Sequence, residues 1–384
     1  MRKTMKVKKI SIFVAMAMAL ILVFTACGDS GAAEAPPAED TDTAAKTEET
    51  DSEKAVEETV DATEEEEKPA VVGDDFTGYK IAYSCNSVGN EFGYLVYSGV
   101  KANGEACGME VLFGENAMDP QKVEQNIQVL KANGMDVLID FNIVPQVSGK
   151  YATSLKAEGI PTITVDVEIG DDAYFFGADN KLVGTLAGEY IANYANENWG
   201  GQLDNVFIEG CKTQGEVVLL RSTSTFDGLD NVMPGNTFED THFWCDPMTA
   251  PDQVQKVSQE TATFLQNNPG KLGFAAHDDA MAVPIVAAIK DAGREDDCIV
   301  VSLGCYSTFQ QQLRDDPNTC WKGAITFFPE QYGAYLVDIA KQLIKGEAVP
   351  PVSGMLHKVI DMDNLDEYYP VDEPLTARVG TPPF

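Results

Sequence analysis

From residue 79 to about residue 345, short apolar segments alternate with segments whose apolar residues recur every three or four positions. The first kind predicts buried strands and the second predicts amphipathic helices. The early strands are predicted at 80–85, 109–113 and 137–141, in a segment ending at Asp166, and at 173–177, with helices at 92–106, 120–132 and 147–157. Repeated strand–helix units at this spacing favour a parallel, doubly wound sheet with right-handed crossovers.

The same alternation continues through a second set of segments. Helices are predicted at 180–195, 216–230, 251–267, 279–292, 307–314 and 330–345, and strands at 205–209, near 238–244, and at 271–275, 298–303 and 323–327. Two sheets of five or six strands fit this number of strands better than one sheet does. The predicted fold class is therefore α/β, with two doubly wound parallel-sheet lobes.

The strand that ends at Asp166 carries the first candidate for ligand contact. Residues 159–166 form a nearly continuous apolar run that is typical of a strand buried on both faces. In open α/β sheets, ligands bind just beyond the carboxyl ends of such strands. A structural Asp that caps the next turn is the alternative for Asp166. The next strand leads into Asp179 and Asn180, where we expect the chain first to cross between lobes.

Further candidates follow from their positions near predicted strand ends. Asp140 and Asn142 come after the third strand, where surface turn residues are the ordinary alternative. Aromatic rings can stack on the apolar faces of sugars, and simple core packing is an equally good explanation for each one. The aromatic candidates are Phe92, Phe141, Tyr306 and Phe327.

The first residues have the layout of an export signal. Five basic residues precede an apolar segment at 10–24, and Thr25 and Ala26 then lead into Cys27. The apolar segment is short for a membrane span and suits a secretory signal peptide over residues 1–26. An ordinary signal with an incidental cysteine, or an uncleaved anchor, are the alternatives.

The next segment, 27–76, is acidic and contains no aromatic residue before Phe76. Residues 28–75 carry 18 acidic residues and three lysines, so they cannot bury enough apolar surface to fold and are expected to form a disordered tether. The whole chain has a formal charge of −34, which excludes a nucleic-acid-binding function because such binding needs a basic face. The acidity of the globular part is explained most simply by a solvated surface.

Catalytic and metal-binding motifs are absent from the sequence. It contains no GxSxG, HExxH, phosphate-loop or GxGxxG pattern. Its three histidines are on separate predicted elements, and we expect only His277 to lie near the cleft, as a pocket-lining residue. The cysteines after Cys27 lack metal-type spacing, and most are interpreted as small buried hydrophobic residues. We expect no enzyme activity, cofactor or metal.

Several segments together resemble a known family. The signal, Cys27, the acidic tether and two α/β lobes are similar to the solute-binding lipoproteins of bacterial ABC importers. Residues 79 to about 346 resemble the ribose-type, type I periplasmic binding proteins. The matching segments are 89–93, 119–120, 159–166, 178–180, 277–282 and 299–304.

The resemblance implies roles for particular residues. Asn90 and Phe92 would contact the ligand from the first lobe, and Asp166 would accept hydrogen bonds from it. Asp278, at a position where the family commonly has Asn, would reach the ligand from the second lobe, while Asp279 would cap the following helix. Arg221 falls near the family's ligand-binding Arg, although the segment can be aligned in two ways.

Other positions depart from the family pattern. Gly304 and Phe327 stand where ribose binders have Asp and Gln, and residues 250–252 lack the family's stacking Phe. Ribose itself is therefore doubtful. Because Asp166 and Asp278, with Asp140 as a third candidate, would make the cleft acidic, an amine-bearing ligand is a second hypothesis; a nucleoside is another alternative.

The resemblance also implies the organisation of the molecule. The first lobe is expected to comprise 77–179 and 328–355, and the second lobe 180–327 and 356–384, with three hinge crossovers near Asp179, Phe327 and Leu356. We expect a monomer, anchored through an acylated Cys27 to the outer face of the cytoplasmic membrane, that delivers a sugar to an ABC permease on a separate chain. A receptor that signals to a sensor kinase or chemoreceptor would have the same sequence features.

Overall fold

The computed structural model describes residues 71, 73–142, 145–380 and 382. The predicted signal peptide, the acylated Cys27 and most of the predicted tether lie outside these residues. Phe76, at the end of the predicted tether, belongs to the folded body, because its side chain is fully buried and its N–H donates to the Cys107 carbonyl. None of the described helices combines the length and the hydrophobicity needed to cross a membrane.

Strands and helices alternate along most of the described chain. In chain order they are β1 (Lys80–Cys85), α1 (Glu91–Ala106), β2 (Glu110–Glu115), α2 (Pro120–Ala132), β3 (Val137–Phe141), α3 (Pro145–Ala157), β4 (Thr162–Val165), β5 (Tyr174–Gly177), α4 (Asn180–Trp199), β6 (Asn205–Glu209), α5 (Glu216–Val232), α6 (Phe238–Thr241), β7 (Phe243–Cys245), α7 (Gln253–Asn267), β8 (Leu272–Ala275), α8 (Asp279–Asp291), β9 (Cys298–Gly304), α9 (Ser307–Asp315), β10 (Trp321–Thr326), α10 (Pro329–Ile344), β11 (Val352–Gly354), β12 (Lys358–Asp361) and α11 (Leu365–Tyr368).

The strands form two sheets of six strands each. The first has the order β11-β5-β4-β3-β1-β2, and the second has the order β12-β10-β9-β8-β6-β7. All pairings are parallel except that of β10 with β12. The predicted fold class, two parallel-sheet α/β lobes, is confirmed. Central strands such as β4 and β9 are buried along their whole length, as expected when helices cover both faces.

Several helices begin at a side chain that caps their first turn. The side chains of Asn90, Asp119, Asp179 and Asp278 accept hydrogen bonds from backbone N–H groups of α1, α2, α4 and α8. An Asn or Asp at this position satisfies an N–H group that has no partner within the helix. All four caps lie two to five residues after the carboxyl end of a strand, so they place polar groups at one edge of each sheet.

Two glycines let α1 and α10 approach closely. A Cβ atom on Gly333 would lie 2.1 Å from the Gly99 carbonyl carbon, and one on Gly99 would lie 3.1 Å from the Gly333 Cα. No side chain fits in that space, which shows how closely α10 packs against α1. Helix α10 therefore lies in the first lobe, although it follows β10 of the second sheet.

Two parts of the sequence interpretation differ from the structure. The predicted strand near 238–244 is a short helix, α6, followed by the three-residue strand β7. The turn before α6 is held by Asn236, whose side chain accepts a hydrogen bond from the Phe238 N–H. The edge strands β11 and β12 were not predicted, because both are short and half-exposed and lack a clear apolar alternation.

The chain passes between the two sheets three times. The passages lie between β5 and α4, between β10 and α10, and between β11 and β12. They fall where the three hinge crossovers were expected; the exact lobe boundaries remain a prediction.

The last described residues return to the first lobe, which differs from the expectation that 356–384 all belong with the second lobe. Tyr369 is held in the second lobe, where its hydroxyl group lies 2.7 Å from the Thr326 hydroxyl. Farther along, the Arg378 N–H donates to the Glu330 carbonyl at the start of α10, and the Gly380 N–H donates to the Asn103 side chain of α1. Polar groups of α1 and α10 thus bind the backbone of the tail.

Candidate functional site

A cleft of about 560 Å³ lies at the carboxyl ends of the strands of both sheets. It is lined by the last residue of β3, by loops that follow β1, β4, β6, β8, β9 and β10, and by the N-terminal turns of α1, α5, α8 and α9. The lining residues are Asn90, Glu91, Phe92, Phe141, Asp166, Val167, Glu168, Gln214, Gly215, Glu216, Val217, Val218, Arg221, His277, Asp278, Asp279, Ala280, Tyr306, Thr308 and Phe327. Its volume is that of a site for a small molecule.

The structure brings together most of the residues that the sequence singled out. Seven of the eight predicted ligand-contact residues line the cleft: Asn90, Phe92, Asp166, Arg221, Asp278, Tyr306 and Phe327. Phe141 and His277 line it as well. Their roles toward a ligand remain a prediction.

Asp140 is the exception and does not line the cleft. Its side chain is buried and accepts a hydrogen bond from the Asn142 amide, which also contacts Ser84. Side chains alternate along a strand, so Asp140 points to the face opposite Phe141. Burial raises its pKa to about 6. We therefore correct its assignment from ligand contact to a member of a buried polar network within the first lobe.

The Asp166 carboxylate is held in place by the protein. Its Oδ1 atom accepts hydrogen bonds from the Ala178 N–H at 2.8 Å and from the Tyr332 hydroxyl at 3.1 Å. The backbone of Asp166 is left-handed, with φ of 59°, a conformation that costs free energy for a residue other than glycine. Burial raises its pKa, and the nearby Arg221 counteracts part of that effect. The result is a rigid acceptor at the end of β4.

Two contacts, a hydrogen bond and an aromatic ring, hold the guanidinium group of Arg221 in position. Its Nε atom donates to the Asn180 side chain at 2.5 Å, and its guanidinium carbon lies 4.9 Å from the centre of the Phe327 ring. An Arg that stacks on an aromatic ring loses less conformational freedom when it binds a ligand. Sequence reasoning placed Asn180 at a crossover but missed its role in orienting Arg221.

An aromatic cluster forms the apolar part of the cleft. The centre of the Phe92 ring lies 5.5 Å from that of Phe141, 6.5 Å from that of Phe327 and 5.3 Å from that of Tyr332. Phe92 and Phe141 are half-buried, whereas Tyr332 is fully buried. Of these rings, the half-buried Phe92 and Phe141 both line the cleft and can contact an apolar face of a ligand.

The loop after β8 presents three titratable residues. Asp278, rather than Asp279, caps α8, which corrects the predicted role of Asp279. Asp279 is buried and accepts hydrogen bonds from the Ser302 hydroxyl and the Tyr306 N–H, both at 2.5 Å; burial raises its pKa to about 8. His277 is also buried, which lowers its pKa to about 3 and keeps the ring neutral.

A carboxylate connects the two lobes across the mouth of the cleft. Glu91, the first residue of α1, accepts hydrogen bonds from the N–H and the hydroxyl of Ser307 at 3.2 and 2.6 Å. Ser307 is the first residue of α9 in the other lobe, so Glu91 interacts favourably with the N-terminus of that helix. Sequence reasoning missed this contact because its two residues are 216 positions apart.

Other lining residues were not predicted either. Glu168 follows β4 by three residues, Gln214 lies two residues before α5, and Glu216 is the first residue of α5. In the described residues, no group of three or more His, Cys, Asp or Glu side chains is arranged to hold a metal ion. Their seven cysteines are free thiols, and all but Cys107 are buried.

A family model described as "Periplasmic binding protein domain" matches residues 81–348, which is more than half of the chain. The chain belongs to the periplasmic binding protein family. The predicted resemblance to the ribose-type members is confirmed. Members of this family are exported proteins that bind solutes and are not enzymes.

Individual proteins of the family resemble the chain at low sequence identity. The ribose import binding protein of Salmonella typhimurium (strain LT2) is 24% identical over 275 residues, covering 70% of this chain and 86% of that protein. An ABC transporter periplasmic solute-binding protein from Actinobacillus succinogenes with bound D-allose superposes with a TM-score of 0.65 at 18% identity, over 76% of this chain and all of that one.

A third similar protein is the fructose-binding periplasmic domain of a hybrid two-component system. It superposes with a TM-score of 0.63 at 19% identity and covers 76% of this chain and 93% of that one. At these identities, the two superpositions establish the fold of the periplasmic binding protein and leave its ligand open.

Proposed function

We propose that this periplasmic binding protein captures a small carbohydrate between its two lobes and delivers it to an ABC importer permease on a separate chain. The observation that carries the proposal is the cleft at the carboxyl ends of both sheets, with the rigid Asp166 carboxylate on one side and Arg221 on the other. The printed names of the similar proteins, a ribose import binding protein and a binder of D-allose, support the same ligand class.

The chemistry of the cleft suits a polyol. Removing a sugar from water costs free energy unless its hydroxyl groups regain hydrogen bonds, and those to charged groups are the strongest. Asp166 offers an acceptor and Arg221 offers several donors, while Phe92, Phe141 and Phe327 offer apolar surface. We expect the sugar ring to contact the aromatic cluster and its hydroxyl groups to bond to the two charged side chains.

Lipid anchoring is the second part of the proposal. An export signal that ends at Ala26 and is followed directly by Cys27 is typical of a protein whose N-terminal cysteine is acylated after cleavage. The acidic segment after it would hold the folded body away from the anionic membrane surface. We propose that the protein works as a monomer on the outer face of the cytoplasmic membrane.

The first experiment is a thermal-shift screen of the purified full-length chain with pentoses, hexoses, disaccharides and nucleosides. A ligand at a hundredfold its Kd adds about 2.7 kcal/mol of stability. Asp166→Asn is expected to abolish the shift given by the best sugar. Asp171→Asn, an exposed change nearby in the same lobe, is the control and is expected to retain it. The absence of a shift with any sugar contradicts the carbohydrate proposal.

The second experiment tests the anchor. The wild-type chain and a Cys27→Ser variant are expressed in a bacterium, and membrane and soluble fractions are compared by immunoblot. We expect the wild type in the membrane fraction and the variant released after export. A wild-type chain that is found in the soluble fraction contradicts acylation at Cys27.

A signalling receptor is the alternative function, because a fructose-binding domain of a hybrid two-component system has the same fold. Uptake of the radiolabelled ligand separates the two functions. Deleting the gene is expected to abolish uptake if the protein serves a permease. If uptake persists and transcription no longer responds to the ligand, the signalling function replaces the transport function.

A further inference from the structure

A strained turn at the end of β9 directs a tyrosine into the cleft. Gly304, the last residue of β9, and Cys305, which follows it, have positive φ values of 131° and 61°. The left-handed conformation of Cys305 costs free energy for a residue other than glycine, and strain of this kind is often found at ligand sites. The residue that follows this turn is Tyr306, whose half-buried side chain lines the cleft.

The Tyr306 ring lies over Gly304. A Cβ atom on Gly304 would lie 2.5 Å from the Cε2 atom of the ring and 2.7 Å from its Cζ atom. Because Cζ carries the hydroxyl group, any larger side chain at position 304 would displace that group. The glycine and the tyrosine are therefore a matched pair, and the first leaves the room that the second occupies.

The backbone around Tyr306 is held from both lobes. Within the second lobe, the Tyr306 N–H donates to the Asp279 carboxyl group at 2.5 Å. From the first lobe, Glu91 accepts hydrogen bonds from the N–H and the hydroxyl of the next residue, Ser307. A side chain on a segment that is fixed in this way loses little conformational freedom when it binds a ligand.

The Tyr306 hydroxyl group is available to a ligand. It has no hydrogen-bond partner in the part of the chain that the structure describes, and its oxygen is not a fully enclosed atom. Burial raises the pKa of Tyr306 well above 10, and Asp279 and Asp278 act in the same direction. Arg221 lowers this pKa and Asp166 raises it, so charges of both lobes act on the hydroxyl group. The phenol is neutral at physiological pH and can donate one hydrogen bond.

We propose that Tyr306 is a specificity-determining residue, whose hydroxyl group donates a hydrogen bond to one sugar hydroxyl beside those that Asp166 and Arg221 bind. This inference rests on the proposed function and deepens it. In the sequence, Tyr306 is a candidate only for its aromatic ring. A sugar with a hydroxyl group at this place regains a hydrogen bond that it lost on leaving water, whereas the corresponding deoxy sugar leaves the phenol without a partner.

Titration calorimetry on the purified full-length chain tests the inference by removing each side of the hydrogen bond in turn. The protein is the wild type or Tyr306→Phe, which loses the hydroxyl group and keeps the ring over Gly304. The sugars are D-ribose, D-xylose, D-glucose, D-galactose, D-mannose and D-allose, each with its monodeoxy derivatives. A sugar of the wider screen that binds more tightly is added in the same way.

The expected result is a coupling between one protein hydroxyl and one sugar hydroxyl. For at least one sugar, we expect Tyr306→Phe to weaken binding about fivefold or more. One monodeoxy derivative of that sugar is expected to bind the wild type and Tyr306→Phe equally well, because it lacks the partner of the phenol. The other derivatives should still prefer the wild type.

A second tyrosine of the same lobe provides the matched control. The hydroxyl group of Tyr190 in α4 donates to the Lys322 carbonyl at 3.2 Å or to the Asp361 carboxylate at 3.1 Å, and Tyr190 does not line the cleft. We expect Tyr190→Phe to bind every sugar as the wild type does. The same chemical change, made away from the cleft, thus leaves recognition intact.

The outcomes distinguish the inference from the proposed function. An unchanged affinity of Tyr306→Phe for every sugar that the wild type binds overturns the inference and leaves the carbohydrate-binding function standing. Equal weakening of a parent sugar and all its derivatives also overturns it, because the hydroxyl group then acts through the shape of the protein. If no sugar binds the wild type, the proposed function itself is wrong and the inference falls with it.

Discussion

The side chain of His357 accepts a hydrogen bond from the backbone N–H of Asp179, with 3.0 Å between its Nε2 atom and that nitrogen. The other ring nitrogen, Nδ1, lies 3.1 Å from the Thr326 carbonyl oxygen and must therefore carry the proton. Asp179, Thr326 and His357 lie at the three passages of the chain between the sheets. One neutral imidazole ring thus joins all three segments about which the lobes are expected to rotate.

This arrangement predicts a pH dependence of stability. Burial lowers the pKa of His357 below its usual value near 6.5, because the charged, protonated ring would lose its contact with water. A protonated ring would also direct its Nε2–H group at the Asp179 N–H. Below pH 6.5, the folded protein binds fewer protons than the unfolded chain, so the free energy of unfolding falls as the pH decreases. His277, whose pKa is also lowered, adds a dependence of the same sign.

Substitution isolates the contribution of His357. We expect His357→Ala to lose about 1–3 kcal/mol of stability at pH 7.5 and to show a shallower loss between pH 7 and pH 5 than the wild type. Urea unfolding at several pH values measures both quantities. His242→Ala, which removes a histidine from a different element of the second lobe, is the comparison variant. A His357→Ala slope equal to that of the wild type would contradict the role of the ring.

The buried Asp279 predicts a dependence of the opposite sign. Its pKa is raised from 3.8 to about 8, so between these values the unfolded chain has lost a proton that the folded protein retains. Its contribution to stability is complete below pH 3.8 and is lost as the pH rises toward 8. We expect Asp279→Asn to be more stable than the wild type at pH 8.5, by on the order of a few kcal/mol, and we expect this difference to shrink steadily as the pH falls toward 3.8. Equal stability of the two proteins at pH 8.5 would refute the raised pKa.

The contact between α1 and α10 predicts a steric effect. Gly333→Ala would place a methyl group 2.1 Å from the Gly99 carbonyl carbon, so we expect a loss of about 1–3 kcal/mol. Gly149→Ala in α3 is the matched control, because its added methyl group meets nothing closer than 3.9 Å. There the better helix propensity of Ala should add about 0.5–1 kcal/mol. Thermal unfolding of both variants measures the difference, and a neutral Gly333→Ala would show that the helices can separate at no cost.

The contact of Glu91 with Ser307 predicts an effect on ligand release. Glu91→Gln weakens a charged acceptor that joins the lobes across the cleft, so the closed form becomes less stable. We expect the dissociation rate of the best ligand from the screen to rise severalfold in stopped-flow measurements, with a smaller change in the association rate. A double-mutant cycle with Ser307→Ala gives the coupling between the two residues. A coupling free energy of zero would show that the faster dissociation of the ligand does not come from the contact between Glu91 and Ser307.

The sequence was sufficient for most of the fold because the long helices and buried strands have clear periodicity. It was less informative at short elements such as β11 and α6, whose few residues carry no repeated pattern. Asp166 could be predicted as a residue of the cleft because ligands of open α/β sheets generally bind at the carboxyl ends of buried parallel strands. Asp140 was misassigned, although strand alternation allows only one of Asp140 and Phe141 to face the cleft.

The remaining site residues depend on tertiary structure. Asp278 and Asp279 are adjacent in sequence, and only the approach of Ser302 to Asp279 decides which of them caps α8 and which is buried. The contact of Glu91 with Ser307 joins elements far apart in the chain and leaves no local signal. Such contacts arise when the two lobes come together, and no local sequence pattern encodes them.

The tail that leaves Tyr369 in the second lobe and binds α1 and α10 through Arg378 and Gly380 sets an upper limit on domain opening. The nine residue-to-residue steps from Tyr369 to Arg378 can span at most roughly 30 Å when fully extended. As long as both ends of the tail stay bound, the surfaces of the two lobes that the tail joins cannot move farther apart than this distance. The reach of the tail therefore restricts how wide the entrance becomes for an arriving solute, independently of the three hinge segments.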